Sequence, residues 1–324
     1  MKKTGDRIIE YLKTRPEAAA GELSDYLGIS RQAVHRQINK LLKEKIIYKA
    51  GKPPKVFYSV SPKKIKEAGT FLIGDNLKKI IGGNFLVITP SGERQEGVGG
   101  FAYWCQKQKL PVEKTATEYI QTLKKYSMYK KDGLVDGMYK IKHTFDEVFL
   151  DKVFYLDFYS IERFGKTKLG QLLLYAKQSQ NKNLMKELVE EIKPKINFLA
   201  EKFEVNAVGF IPPTVKREVQ LMKELEKQLR LPLPVIDLVK IKTPVAVPQK
   251  TLVKLEDRIE NASRTIVMQD ARKFKTVLLI DDALGSGATL NETARKIKER
   301  NLAEQIIGLA ITGSFKGFEV ISEV

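Results

Sequence analysis

The chain has 324 residues, 43% of them hydrophobic, and its 57 Lys and Arg against 39 Asp and Glu give a formal net charge of +18. A chain this apolar buries enough surface to offset its ordering entropy, which excludes intrinsic disorder, and its length calls for two or three compact units. One cysteine, Cys105, excludes internal disulfides and a four-cysteine zinc ribbon, and with only His35 and His143 as imidazole ligands the composition argues against a metal caged by protein alone.

No stretch approaches the roughly 18 apolar residues of a membrane span, and no apolar segment follows the charged start Met1 to Arg7. The expectation is a soluble, cytoplasmic protein with no membrane partner. Residues 1–66 hold sixteen Lys and Arg and six Asp and Glu, so ten of the surplus charges sit in a fifth of the chain. Such an excess attracts polyanions through counterion release, with nucleic acid the expected one; a soluble basic face without a partner is the alternative.

Ile8, Ile9 and Leu12 follow helical spacing, Leu23, Tyr26 and Leu27 make a second short apolar face, and Gly28-Ile29-Ser30 breaks the pattern. Ser30 suits the N-cap of a third helix that carries Val34, Ile38, Leu41 and Leu42 on one face and Arg31, Gln32, His35, Arg36 and Lys40 on or beside the other. Ile46 to Tyr48 and Val56 to Val60 read as two short strands around a Gly/Pro/Lys tip over 49–55. This is the order of a winged helix-turn-helix, and Ser30 to Arg36 resembles the recognition helix of bacterial and archaeal winged-helix regulators. The resemblance implies that Arg31, Gln32 and Arg36 read bases, with His35 on the same surface, while Lys40, Lys52 and Lys55 hold phosphates. A protein-binding adaptor is the other use of such a module.

Residues 63–148 read as a small α+β region of unknown role. Phe85 to Ile88, a Pro90-Ser91-Gly92 turn and Glu93 to Glu96 suggest a hairpin; 101–109 and 113–129 suggest amphipathic helices with Trp104 and Cys105 facing a core. Cys105 has no histidine nearby in sequence, which favours a buried structural thiol over a nucleophile. Lys130 to Gly137, with its two Asp-Gly pairs, reads as a linker into the last domain.

From Lys152 strands alternate with helices, the pattern of a parallel sheet covered by helices. Thr276 to Ile280 is a buried strand that runs into Asp281, Asp282, Ala283, Leu284, Gly285, Ser286, Gly287, Ala288 and Thr289. Open parallel sheets place ligands at such strand ends; small residues let backbone amides wrap a phosphate, and an acidic pair suits sugar hydroxyls with magnesium nearby. Phosphate at one end and a diol at the other describe a ribose 5-phosphate.

Val277 to Thr289 resembles the phosphoribosyl pyrophosphate (PRPP) signature of type I phosphoribosyltransferases. The resemblance implies that Asp281 and Asp282 take the ribose hydroxyls, that residues 285–289 take the 5-phosphate, and that magnesium comes with PRPP, with no direct protein ligand. Phe210 to Arg217 resembles the family's pyrophosphate loop, with Pro213, Thr214, Lys216 and Arg217 at the anion. Gln249 to Leu252, followed by Arg258 and Asn261, resembles the hood of the competence protein F-like branch, with Lys254 and Arg258 available to an anion. That branch carries a zinc ribbon where this chain carries a winged helix.

The fold class expected is α/β: a winged helix-turn-helix over 1–62, a small α+β region over 63–148, and a phosphoribosyltransferase-like parallel sheet with flanking helices over 149–324. Two functions follow. One is a transcription regulator, a homodimer on DNA with PRPP or a nucleotide as effector, resembling the purine-operon repressor architecture. The other is an active phosphoribosyltransferase that joins PRPP to a nitrogen nucleophile, or a competence protein F-like protein of DNA metabolism.

Overall fold

The computed structural model describes residues 3–15, 17–44, 46–61, 73–213, 215, 217–241, 243–245 and 247–314, without the side chains of Lys52 and Lys250. The chain divides between residues 71 and 72 into two compact units.

The first unit runs α1 (Thr4–Thr14), β1 (Ala18–Ala19), α2 (Ala20–Leu27), α3 (Arg31–Lys43), β2 (Ile47–Lys52) and β3 (Lys55–Val60), with its strands in the order β1-β3-β2. Gly28 ends α2 in the left-handed region at φ 67, where its amide reaches Ser24 O at 3.0 Å. Ser30 then caps α3, its side chain accepting from Ala33 N at 3.3 Å. Ile8, Leu12, Leu23, Leu27, Val34, Ile38, Leu41, Ile47 and Tyr58 form one buried core. Tyr26, expected on the apolar face, is 45% exposed: its ring lies 4.4 Å from that of Tyr11 with Arg7 above it. The strands also reach further than expected, to a Lys52↔Lys55 pair, so the wing tip is only Pro53-Pro54.

The second unit opens with α4 (Asp75–Asn84), β4 (Leu86–Ile88), β5 (Arg94–Glu96), α5 (Gly97–Lys107) and α6 (Val112–Ser127). Here Phe85, Phe101, Trp104 and Tyr119 cluster with Phe164, ring centroids 5.0–6.2 Å apart, and Cys105 is fully buried beside them. Then come β6 (Lys130–Lys131), β7 (Leu134–Asp136), α7 (Met138–Thr144), β8 (Lys152–Phe158), α8 (Lys168–Ser179), α9 (Lys182–Lys202), β9 (Ala207–Phe210), α10 (Leu221–Leu229), β10 (Leu238–Lys240), α11 (Leu255–Thr265), β11 (Ile266–Met268), β12 (Phe274–Leu284), α12 (Ala288–Glu299) and β13 (Ala303–Gly313).

One six-stranded sheet, ordered β6-β7-β8-β13-β12-β9, organises this unit; β8, β13, β12 and β9 are mutually parallel and β7 is antiparallel to β8. Leu278, Ile280, Ile307 and Leu309 face Leu173, Leu188, Ile192 and Leu225 of α8, α9 and α10 in the main core. The linker expected over 130–137 is instead the β6-β7 hairpin. Asp132 and Gly133 adopt φ 53 and 76, the left-handed pair that closes a two-residue turn, and Val135 opposite Tyr155 ties the hairpin to the sheet. The boundary expected near residue 148 therefore falls inside a single unit. No helix among the described residues is long and apolar enough to cross a membrane.

Candidate functional site

In the first unit, α3 buries Val34, Ile38 and Leu41 and leaves Arg31, Gln32, His35, Arg36 and Lys40 exposed, as helical periodicity requires. Lys40 stands 4.0 Å from Glu44, a loose surface pair worth little, and Lys55 is exposed at the start of β3. Lys52 lies at the end of β2, with its side chain outside the described residues. An exposed helix face carrying four side chains with cationic or amide donors, beside a basic hairpin, has the chemistry to meet a phosphate backbone and base edges.

In the second unit, β12 continues past the expected end at Ile280. Asp281 pairs with Ala310, Ala283 with Thr312 and Leu284 with Gly313, because β13 is long enough to offer partners that far. The loop is thus three residues, Gly285, Ser286 and Gly287; Ala288 and Thr289 already belong to α12. Leu284 and Ala288 are buried and can present only backbone to a ligand. Gly287 sits at φ 85, a conformation that favours glycine, and a Cβ there would come within 2.2 Å of Ile141 Cδ1 and displace that side chain. Ser286 Oγ accepts from Ala288 N at 3.3 Å, and Gly285 N reaches Ala283 O at 3.2 Å. The amides of Ser286 and Gly287 have no hydrogen-bond partner among the described residues. Two open N–H groups at the positive end of α12 have the chemistry to cradle an anion.

Residues from the stretch expected to be a separate α+β region back this cradle. Ile141 of α7 and Phe145 pack over Gly287, while Asn291 of α12 accepts from Phe149 N and donates to Glu147 O, both at 2.9 Å.

The acidic pair is held by lysines that the sequence did not single out. Lys177 Nζ, from the last turn of α8, donates to Asp282 Oδ2. Burial disfavours the Lys177 ammonium, yet Asp282, and more weakly Asp281, hold its pKa above the usual lysine value. Burial and then the Asp282 charge push the Asp281 carboxyl well above the ordinary carboxylate range, against the Asp282 amide at 2.8 Å and the charges of Lys177 and Lys240. Lys240, at the end of β10, is drawn down by burial to about 8, with Asp281 opposing the shift. Lys140 of α7 is likewise brought to about 8, by burial and by Arg258, and donates to Ser314 O at 3.0 Å.

The expected pyrophosphate segment leaves β9 beside this site: Ile211 N reaches Ile280 O at 2.9 Å, and Pro212 and Pro213 follow. Thr214 and Lys216 lie outside the described residues. Arg217 Nη1 donates to Lys177 O at 2.8 Å, which fastens this segment to the C-terminus of α8. In the expected hood, Gln249 Nε2 donates to Arg258 O at 2.9 Å and Asn261 Oδ1 at 3.3 Å. Arg258 is buried, and its Nε donates to Leu252 O at 2.7 Å. Gln249 and Arg258 therefore brace residues 249–261 from within, whereas Lys254 is exposed before α11.

A parallel sheet with an acidic pair and an amide cradle at one strand end, joined in one chain to a winged helix, defines the class. A model of the phosphoribosyl transferase domain matches residues 186–314, and a model of the MarR family matches residues 7–54. The chain carries a MarR-family winged-helix domain at its N-terminus and a phosphoribosyltransferase domain in its C-terminal half. Among solved structures, a hypoxanthine phosphoribosyltransferase from Staphylococcus aureus is similar at 17% identity and a TM-score of 0.24, over 38% of this chain and 62% of that one. The chain thus spans under two thirds of that relative's length. Curated proteins give no match.

Proposed function

We propose that the chain is a DNA-binding transcription regulator whose phosphoribosyltransferase domain takes PRPP, or a related nucleotide, as effector. The observation that carries this reading is the conjunction at the end of β12: two adjacent carboxylates and two unpartnered amides, 281 to 287, in a chain that also bears an exposed basic α3 face. The Ser286 and Gly287 amides would receive the 5-phosphate, and Asp281 and Asp282 the ribose hydroxyls. Pro213, Thr214, Lys216 and Arg217 would border the pyrophosphate, and the exposed Lys254 would offer it a cation from the hood.

Magnesium accompanying the ligand suits two adjacent carboxylates, since it prefers hard oxygen donors and keeps waters and phosphate oxygens in its shell. Among the described residues no three His, Cys, Asp or Glu side chains could hold a metal by themselves. The ion would be carried by the ligand's own oxygens and lie near Asp281 and Asp282, and its charge would favour their ionised forms.

An effector shifts DNA occupancy only through different affinity for two states of the protein. A homodimer, placing two α3 helices on two half-sites, is the assembly in which such states alter operator fit. The test is calorimetric titration of the full chain with PRPP and magnesium, with and without added nucleobases. Saturable heat that Asp281→Asn with Asp282→Asn abolishes supports the reading. Sustained turnover heat on adding a nucleobase would make PRPP a substrate and overturn the effector role.

A further inference from the structure

One helix end touches both halves of the strand-end site. Lys177, in the last turn of α8, sets its ammonium on Asp282 Oδ2. The same turn anchors the expected pyrophosphate segment twice. Arg217 Nη1 donates to Lys177 O at 2.8 Å, and two residues on Val219 N donates to the side chain of Gln180, the C-cap of α8, at 2.7 Å. Lys177 is thus in contact with the acidic pair through its ammonium and with the pyrophosphate segment through its carbonyl. Asp282 and Asp281 attract that ammonium, Arg217 repels it, and Lys240 acts on Asp281 as well.

An ammonium largely withdrawn from water costs free energy unless a partner neutralises it, and here that partner is Asp282. A bare divalent ion arriving at the pair would have to displace Lys177, and would leave a dication beside an ammonium that had lost its counter-charge. Magnesium held in an anionic chelate meets no such conflict. PRPP carries several negative charges, so its magnesium complex remains an anion, and its oxygens offer Lys177 a new partner as the ion nears the carboxylates. The sign of the whole arriving species, not the ion alone, decides whether the pair opens.

We propose that Lys177 is a positioning residue that admits magnesium to Asp281 and Asp282 only inside an anionic chelate, so that ion and ligand bind together and the bare ion is refused. This role rests on the effector reading, which supplies the chelate, and adds to it the residue that selects. A strand end that took up the bare ion would answer to magnesium and not to PRPP. The Lys177–Asp282 pair removes that response.

The test uses the full chain, with manganese(II) as the bare-ion probe read by electron paramagnetic resonance and magnesium-PRPP read by calorimetry. Lys177→Met should bind manganese about tenfold or more tightly than the wild type and magnesium-PRPP about tenfold more weakly, because the same ammonium repels the one and pairs with the other. Lys177→Arg, which keeps the charge, should refuse manganese as the wild type does. Asp282→Asn added to Lys177→Met should remove the gained manganese. Lys177→Gln stands in if Lys177→Met loses its native circular dichroism. Opposite shifts separate this role from a structural one, since a loosened α8 would weaken both probes. Equal manganese affinity in wild type and Lys177→Met, or weakening of both probes together, would overturn the proposal. A wild type that binds no magnesium-PRPP would overturn the effector reading instead, and manganese uptake gained by Lys177→Met would still support Lys177 as the barrier to the bare ion.

Discussion

Burial and the adjacent Asp282 both work against the Asp281 carboxylate, and the consequence is measurable as stability. Its pKa is raised in the folded state above the ordinary value of 3.8, so the folded chain binds a proton that the unfolded chain releases. Stability is then highest below the unfolded pKa and falls as pH rises through the folded one, leaving a penalty at alkaline pH. Asp281→Asn removes that penalty and should stabilise the second unit by about 2 kcal/mol at pH 8. The gain should shrink towards nothing near pH 2.5, below the unfolded pKa, where the carboxyl is protonated in both states. Thermal melts at the two pH values check it; an equal gain at both would mean that packing, not ionisation, is responsible. The acidic pair was legible in the sequence because its members are adjacent and follow a buried strand. Lys177 was not: it comes from 105 residues before Asp282, and a lysine at a helix end carries no signal in a chain with 57 Lys and Arg.

At the scale of elements, α3 was legible from cap to face: Ser30 starts it and the buried residues follow the helical period. Ser30→Ala removes the acceptor for Ala33 N and should cost about 1 kcal/mol, read as a lower melting midpoint of the first unit. Arg31→Ala with Arg36→Ala changes only exposed positions, so circular dichroism should be retained while DNA affinity falls and its salt dependence becomes shallower. Affinity and salt slope equal to wild type would remove α3 as the reading helix. The β6-β7 hairpin shows the opposite case. Two Asp-Gly pairs suggested a linker, but the residues flanking the first pair are in register as Lys131 opposite Leu134, and the pair itself is the turn. What the local sequence did not show was the third partner, β8, that makes so short a hairpin stable. Gly133, at φ 76 with open space where a Cβ would stand, isolates the backbone contribution. Gly133→Ala should destabilise the second unit by about 1 kcal/mol, and Gly133→Asn by less, because asparagine tolerates the left-handed region. Equal losses in urea melts would point to a cause other than backbone conformation.

For the whole molecule, the proposed coupling between effector and DNA makes a demand that neither unit meets alone. If PRPP with magnesium changes the affinity for DNA by some factor, DNA must change the affinity for PRPP by the same factor, since both legs close one thermodynamic cycle. A selected operator fragment therefore supplies two independent measurements of one number. The first is DNA affinity with and without saturating PRPP, and the second is PRPP affinity with and without saturating DNA, both at one salt concentration because the phosphate contacts make affinity salt-dependent. A coupling of about 1–3 kcal/mol, or roughly five- to 150-fold, is the ordinary range. The two factors should agree, and Asp281→Asn with Asp282→Asn should bring the first to unity while leaving DNA affinity in the absence of PRPP as it was. A factor of unity in the wild-type chain, with PRPP still bound, would mean that the strand end and α3 serve separate ends. The charge distribution sets the direction of the control experiment. Ten of the eighteen surplus charges lie in residues 1–66, so a polyanion such as heparin competes at the first unit and should displace DNA without touching PRPP affinity. Loss of PRPP affinity with heparin would place a polyanion site on the second unit and transfer the apparent coupling to plain competition.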